Sequence, residues 1–312
     1  MRINESTVKR ILTALATLPV YLFFLWYGGF NYISIFMLST IVSLFCLYEY
    51  YQITSGTDAG KAFVVPGMIA GFLVNIVMYI YAFGKVTTLN RIFGDFDGRL
   101  LIAVIVLFFC AVMVIQLFRR PIKGGIFAVS TTMFGVVYIV LFFSHIILIR
   151  SLADGFAYLL LVNVVVMAND SFAYFGGMLF GRHKTGLEVS PNKSWEGYFS
   201  GMLFSIVFVL LTNEVCSTFF EVHLFSTIEA AFVGILLSVG GHIGDLVESA
   251  FKRDGKVKDS GRLLPGHGGM WDVFDALIFT MPQSSASLSW RETMGRATPS
   301  SSAISTWFLP ST

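Results

Sequence analysis

An all-α, polytopic membrane protein is the fold this sequence predicts, and three observations predict it. Hydrophobic residues make up 55% of the 312-residue chain and charged residues only 13%, about half the ~25% of a soluble domain. Aromatic residues reach 16%, with 32 phenylalanines, and mean hydropathy is +0.75. A soluble fold of this size has no interior large enough to hide that much apolar surface. The apolar residues also fall in long runs, which selects helices over a β-barrel. A soluble enzyme, a disordered chain and a secreted disulfide scaffold are thereby excluded.

A spanning helix needs ~20 mostly apolar residues. Eight runs meet that measure, near 11–28, 31–50, 63–83, 100–118, 126–149, 156–180, 197–213 and 228–248. A ninth, 271–282, has 12 residues and is too short to span unless it continues into the tail. The first run is too long for the apolar region of a signal peptide and lacks a small-x-small cleavage site. Cys46, Cys110 and Cys216 have no paired spacing and read as small packed residues. Three regions follow: an N-terminal helical region over 1–155, a second helical region carrying the polar segments over 156–282, and a tail over 283–312. That tail holds 13 Ser or Thr in 30 residues without helical periodicity, so disorder, or an aberrant C-terminus, is expected there.

Charge gives the orientation. With the N-terminus cytoplasmic, the cytoplasmic segments hold 15 Lys and Arg, and the opposite side, the tail aside, holds only Lys85, Arg91, Arg99 and Arg150. This is the positive-inside pattern. The net charge of +2 gives no bulk attraction to nucleic acid.

Two cytoplasmic segments are dense in polar residues, Asn169–Gly197 and Gly244–Asp275. A charged loop is ordinarily a solvated face meeting anionic headgroups, but that does not account for carboxylates inside the flanking helices. Asp170 lies in an apolar run, where ionisable groups are costly and functional by default. Asp245 lies near the cytoplasmic end of the eighth run, and Asp272 and Asp275, spaced i, i+3, share a face at the start of the ninth. The two helices are joined on one side of the membrane, so these acids come to a similar depth. There they repel one another unless buried Lys or Arg pairs with them or a cation sits between them. Carboxylate oxygens suit Mg²⁺, which also takes phosphate oxygens. The intervening loop carries Lys252, Arg253, Lys256, Lys258 and Arg262 for phosphates. Gly266, Gly268 and Gly269 allow close backbone approach, and His267 can donate to a phosphate or pass a proton. Acids, bases and a glycine turn together point to phosphoryl or nucleotidyl transfer at a membrane surface. The Gly177/Gly181 and Gly240/Gly244 pairs read as helix-packing contacts.

The run from Ser249 to Asp275, SAFKRDGKVKDSGRLLPGHGGMWDVFD, closely resembles the signature of the phosphatidate cytidylyltransferases, also called CDP-diacylglycerol synthases. Asn169–Tyr174 resembles that family's D-x-x-A-Y element, Ser190–Gly197 its S-P-x-K-[TS]-W-E-G element, and Gly244–Ser249 its G-D-L-x-E-S element. The specific resemblance covers about residues 165–282. It implies transfer of a cytidylyl group from CTP to phosphatidic acid, with Mg²⁺ and also a monovalent cation such as K⁺. Asp245 and Asp272 would bind the divalent metal, with Asp275 and, more remotely, Asp170 in support. Lys193, Lys252, Arg253 and Lys258 would hold the phosphates, Ser190 and Asp259 would contact substrate, and the His267-Gly268-Gly269 turn would line the nucleotide site. The resemblance further implies a homodimer among membrane lipids, in a bacterial-type inner membrane with its site facing the cytoplasm. Val273 departs from the pattern, which has Arg there. A CTP-dependent lipid kinase, another lipid-phosphate nucleotidyltransferase and an ion-coupled transporter are the alternatives. A transporter calls for repeat symmetry or paired broken helices, and the sequence has neither.

Overall fold

The computed structural model describes residues 5–57, 60–84 and 98–297. Lys85 and Arg91, placed on the outer side above, lie outside the described residues, as does the tail beyond Ala297. Nine helices occur among the described residues, in the order α1 (Glu5–Trp26), α2 (Gly29–Ser55), α3 (Val64–Phe83), α4 (Arg99–Arg119), α5 (Gly125–Arg150), α6 (Gly155–Phe180), α7 (Trp195–Phe220), α8 (Thr227–Asp254) and α9 (Trp271–Ala297). No strand occurs among them; Lys184–Ser194 and Leu264–Gly268 form isolated bridges. Seven of the helices, α2 to α8, are long and apolar enough to cross a membrane. The chain is an all-α polytopic membrane protein.

Each of the nine runs read from the sequence corresponds to one of these helices, and several helices outrun their apolar cores. α8 starts with a capping box: Ser226 Oγ accepts from the Glu229 amide, while the Glu229 carboxylate accepts from the Ser226 amide at 2.8 Å. This satisfies two otherwise unpaired donors of the first turn. At its other end α8 continues past the apolar run to Asp254, so Glu248 and Lys252 stand on regular helix. α5 contains a π-helical stretch over Val136–Leu141.

The largest departure is α9. The apolar run ends near 282, yet the helix continues to Ala297, so disorder is not what the structure has over 283–297. The reason is local. Thr280 Oγ1 donates to the Ala276 carbonyl at 3.0 Å and Ser284 Oγ to the Thr280 carbonyl at 2.8 Å. These hydroxyls satisfy themselves on their own helix and are buried with Leu288. Further along, Arg291 donates to Tyr158 Oη at 2.9 Å and pairs with Glu229 at 3.5 Å, which ties the end of α9 to α6 and α8.

α6 packs along α7, and α8 packs against both α7 and α9. The hydrophobic core runs from α2, α3 and α5 into α6 and α9, with Ile139, Phe143, Ile146, Leu159 and Trp271 fully buried. α4 is the most peripheral span, with Val106, Leu107, Leu117 and Phe118 on its outer face, as suits a lipid-facing helix. The glycines on α8 act as read from the sequence. A methyl group at Gly244 would sit 2.7 Å from the Asp275 carbonyl oxygen. The absence of a side chain there lets α8 and α9 approach closely, at the level where both carry their acids.

Candidate active site

The site forms where the last turns of α8 meet the first turn of α9. His242, Asp245, Glu248 and Lys252 follow one another at three- and four-residue spacing and so share a face of α8. Asp272 and Asp275 project from the start of α9. Carboxylate oxygens of Asp245, Glu248 and Asp275 all lie within 4.8 Å of one another. Glu248 is almost wholly buried and Asp275 is buried; the Asp245 side chain is 35% exposed. Asp170, exposed on α6, lies within electrostatic range of Asp245 and takes a hydrogen bond from Asn169 at 3.2 Å.

Two lysines partly neutralise the acids. Lys193 Nζ pairs directly with Asp245 Oδ2. Lys252 Nζ lies 2.5 Å from Glu248 Oε2 and 2.7 Å from Asp272 Oδ1. Lys193 is delivered by the α6–α7 loop, where Thr185 donates to the Lys193 carbonyl at 3.0 Å and Trp195 to that of His183 at 3.0 Å. Glu196 braces the loop by accepting from the His183 amide at 3.0 Å and from its ring at 2.5 Å.

Asp272 stands differently from the other acids. Its Oδ2 accepts from the amides of Ser260 at 2.8 Å and Gly269 at 2.7 Å and from Ser260 Oγ at 3.0 Å. Lys252 takes its Oδ1. The glycine turn is therefore built around this carboxylate. Leu264-Pro265-Gly266-His267 is a β-turn closed by the His267 amide on the Leu264 carbonyl at 3.0 Å, with Gly266 at φ +82°. Pro at the second position and Gly at a left-handed third position are the type II preference. Gly268 follows at φ +98°, and a side chain there would collide with Asp272. The Gly269 amide, read from the sequence as open to a ligand, is spent on Asp272.

The residues expected from the sequence thus divide. Asp245, Asp272, Asp275, Lys193 and Lys252 come together, with Gly268 and Gly269 against them. Arg253, Lys258, Asp259 and His267 are exposed around the same loop. Ser190 sits in the turn before Lys193, accepting from its amide at 3.2 Å. Sequence reasoning missed Glu248, although it falls in the G-D-L-x-E-S element, one turn beyond Asp245. It also missed Glu49 of α2. That residue is 7% exposed and accepts from the Met270 amide at 2.9 Å and the Trp271 amide at 2.8 Å. A carboxylate in the apolar run of α2 was the available signal for it.

Chemically, four clustered carboxyl groups face two ammonium groups in a mostly buried setting, so the acids left without an ammonium partner call for protons or a cation to offset them. An all-oxygen donor set of this kind is what a hard divalent cation such as Mg²⁺ takes. Exposed bases at the rim suit phosphates arriving from water.

Known proteins match this chain closely. The Cytidylyltransferase family model matches residues 8–290. A phosphatidate cytidylyltransferase of Staphylococcus epidermidis is 33% identical over 273 residues, covering 88% of this chain and 95% of its own length. One from Bacillus subtilis is 32% identical over 279 residues, covering 88% and 94%. One from Staphylococcus aureus is 39% identical over 130 residues, covering 42% and 48%. Matched over most of its length by the family model and by relatives of nearly equal extent, the chain belongs to the cytidylyltransferase family, alongside the phosphatidate cytidylyltransferases.

Proposed function

We propose that this nucleotidyltransferase moves the cytidylyl group of CTP onto phosphatidic acid, giving CDP-diacylglycerol and pyrophosphate. The observation that carries the reading is the convergence of acids from α8 and α9 with Lys193 and Lys252 at the mouth of a helical membrane bundle. An oxygen of the lipid phosphate attacks the α-phosphorus of CTP. The bond from that phosphorus to the bridging oxygen breaks, and pyrophosphate leaves with the electron pair. The attacking group is a phosphate monoester with a second pKa of about 6, so it is already an anion near neutral pH and needs no strong base. The barrier is largely the repulsion between two polyanions, which positioned positive charge lowers.

Asp245, Glu248 and Asp275 would hold Mg²⁺, and Asp272 beside them would complete the set as Lys252 turns from carboxylate to phosphate. When bound, the metal supplies charge neutralisation and orientation of the phosphates. Lys193 and Lys252, each paired with carboxylates, are the groups placed to meet the phosphates of CTP. Arg253 in the last turn of α8 and Lys258 on the α8–α9 loop, both exposed, capture the incoming triphosphate, and His267 is exposed on the same loop. A site at the cytoplasmic interface, with the N-terminus on the same side, suits both substrates, because CTP comes from water and phosphatidate enters laterally between helices.

The test uses purified chain in detergent micelles with CTP, phosphatidic acid and Mg²⁺. Equal amounts of pyrophosphate and CDP-lipid are expected, and both disappear with EDTA. Release of CDP with phosphorylation of a lipid would contradict the reading, since that is the outcome for a lipid kinase.

A further inference from the structure

Glu49 lies in α2, more than two hundred residues before Ser260 and the start of α9, yet its carboxylate is at the centre of their hydrogen bonding. Oε1 accepts from the Met270 amide at 2.9 Å; Oε2 accepts from the Trp271 amide at 2.8 Å and from Ser260 Oγ at 2.9 Å. Two of these donors are the unpaired amides at the start of α9, so Glu49 caps that helix from another element and meets the positive end of its dipole. The chain around it is shaped to admit it: a side chain at Gly261 or Gly269 would collide with its oxygens. Tyr50, next in α2, packs edge-on against Trp271 and Phe251 with centroids 5.6 Å away in each case.

Ser260 links Glu49 to the reacting groups. Its hydroxyl lies 2.9 Å from Glu49 Oε2 and 3.0 Å from Asp272 Oδ2. A hydroxyl carries one proton, so it donates to one carboxylate at a time. With Glu49 present, the Ser260 hydroxyl has a second acceptor whenever Asp272 engages a ligand. We infer that Glu49 is a positioning residue for cytidylyl transfer: it pins the glycine turn and the first turn of α9, and through Ser260 it fixes Asp272. The inference rests on the cytidylyltransferase reading above.

Glu49→Gln tests it in the full-length chain. The substitution keeps the size of the side chain, but its amide nitrogen must face at least one of the amides that now donate to Glu49. Supporting residues of this kind typically cost about ten- to a hundred-fold when altered. The expected result is a fall in kcat of that order, with KM for CTP unchanged within about three-fold. Ser260→Ala should lower kcat through the same linkage, so the double variant should be little worse than Glu49→Gln alone. Thermal unfolding in detergent reports whether each variant is folded. Folded Glu49→Gln with wild-type kcat overturns the inference, and so do losses that multiply independently in the double variant. If Glu49→Gln does not fold, Ser260→Ala decides: reduced kcat supports the linkage and wild-type kcat overturns it. Wild-type chain lacking CDP-lipid synthesis would instead defeat the functional reading on which the inference rests.

Discussion

Asp272 takes two amides, a hydroxyl and an ammonium group, whereas Asp245, Glu248 and Asp275 face one another. This difference sets what substitutions should do. Asp272→Asn replaces an acceptor oxygen with a donor inside a ring of donors, so turnover should fall to background while the protein stays in the membrane. Full activity in that variant would remove Asp272 from the site. Lys252 is the counter-charge for the most deeply buried acid, its side chain 14% exposed against 1% for Glu248. Removing one partner of a buried pair strands the other charge, at a cost of about 3–5 kcal/mol. Lys252→Ala should therefore lower thermal stability in detergent as well as activity, while Arg253→Ala, at an exposed position, should affect activity alone. At this scale the sequence was partly legible. Asp245, Asp272 and Asp275 stood out because carboxylates interrupt apolar runs. The hydrogen bonds that separate Asp272 from its neighbours come from Ser260 and Gly269, and only the folded loop brings those to it. Glu49 obeyed the same rule as Asp170, but its donors lie over two hundred residues away, and nothing in a single sequence pairs the two regions.

The elements divide along similar lines. Long apolar runs made the spanning helices legible, because the bilayer leaves few other ways to satisfy their backbones. Helix ends were harder to read, since the polar turns that extend α8 and α9 look like loop in composition. In α9 the Ser and Thr residues resemble a disordered tail until their hydroxyls are seen donating back to the helix. The α8–α9 contact yields the sharpest test at this scale. A methyl group at Gly244 would meet α9 backbone at 2.7 Å, and backbone cannot swing aside as a side chain can. Gly244→Ala should cost about 1–3 kcal/mol by overpacking. It should also reduce activity more than stability alone accounts for, because the helices it separates carry Asp245 and Asp275. Unchanged unfolding temperature and activity would show that the close approach is not needed.

Over the whole molecule, function depends on which side of the membrane the α8–α9 loop faces. The charge distribution predicts a cytoplasmic position for that loop and the N-terminus, and the opposite side for the α7–α8 connection near His223. A cysteine introduced by Val257→Cys should resist a membrane-impermeant maleimide added to intact cells, whereas one introduced by His223→Cys should react above the wild-type background. The reverse pattern would invert the bundle and deny CTP its route. Overall architecture and family were legible because the bilayer dictates the first and the long signature from Ser249 to Asp275 carries the second. How the N-terminal helices support the site was not, since their apolar runs differ little from one another.

The measurement that tests the central claim most directly follows the two ends of the triphosphate. CTP labelled at the α-phosphate, and separately at the γ-phosphate, is given to purified chain with phosphatidic acid and Mg²⁺. Cytidylyl transfer predicts that the α label enters the lipid and the γ label leaves in pyrophosphate. Appearance of the γ label in the lipid would contradict the account.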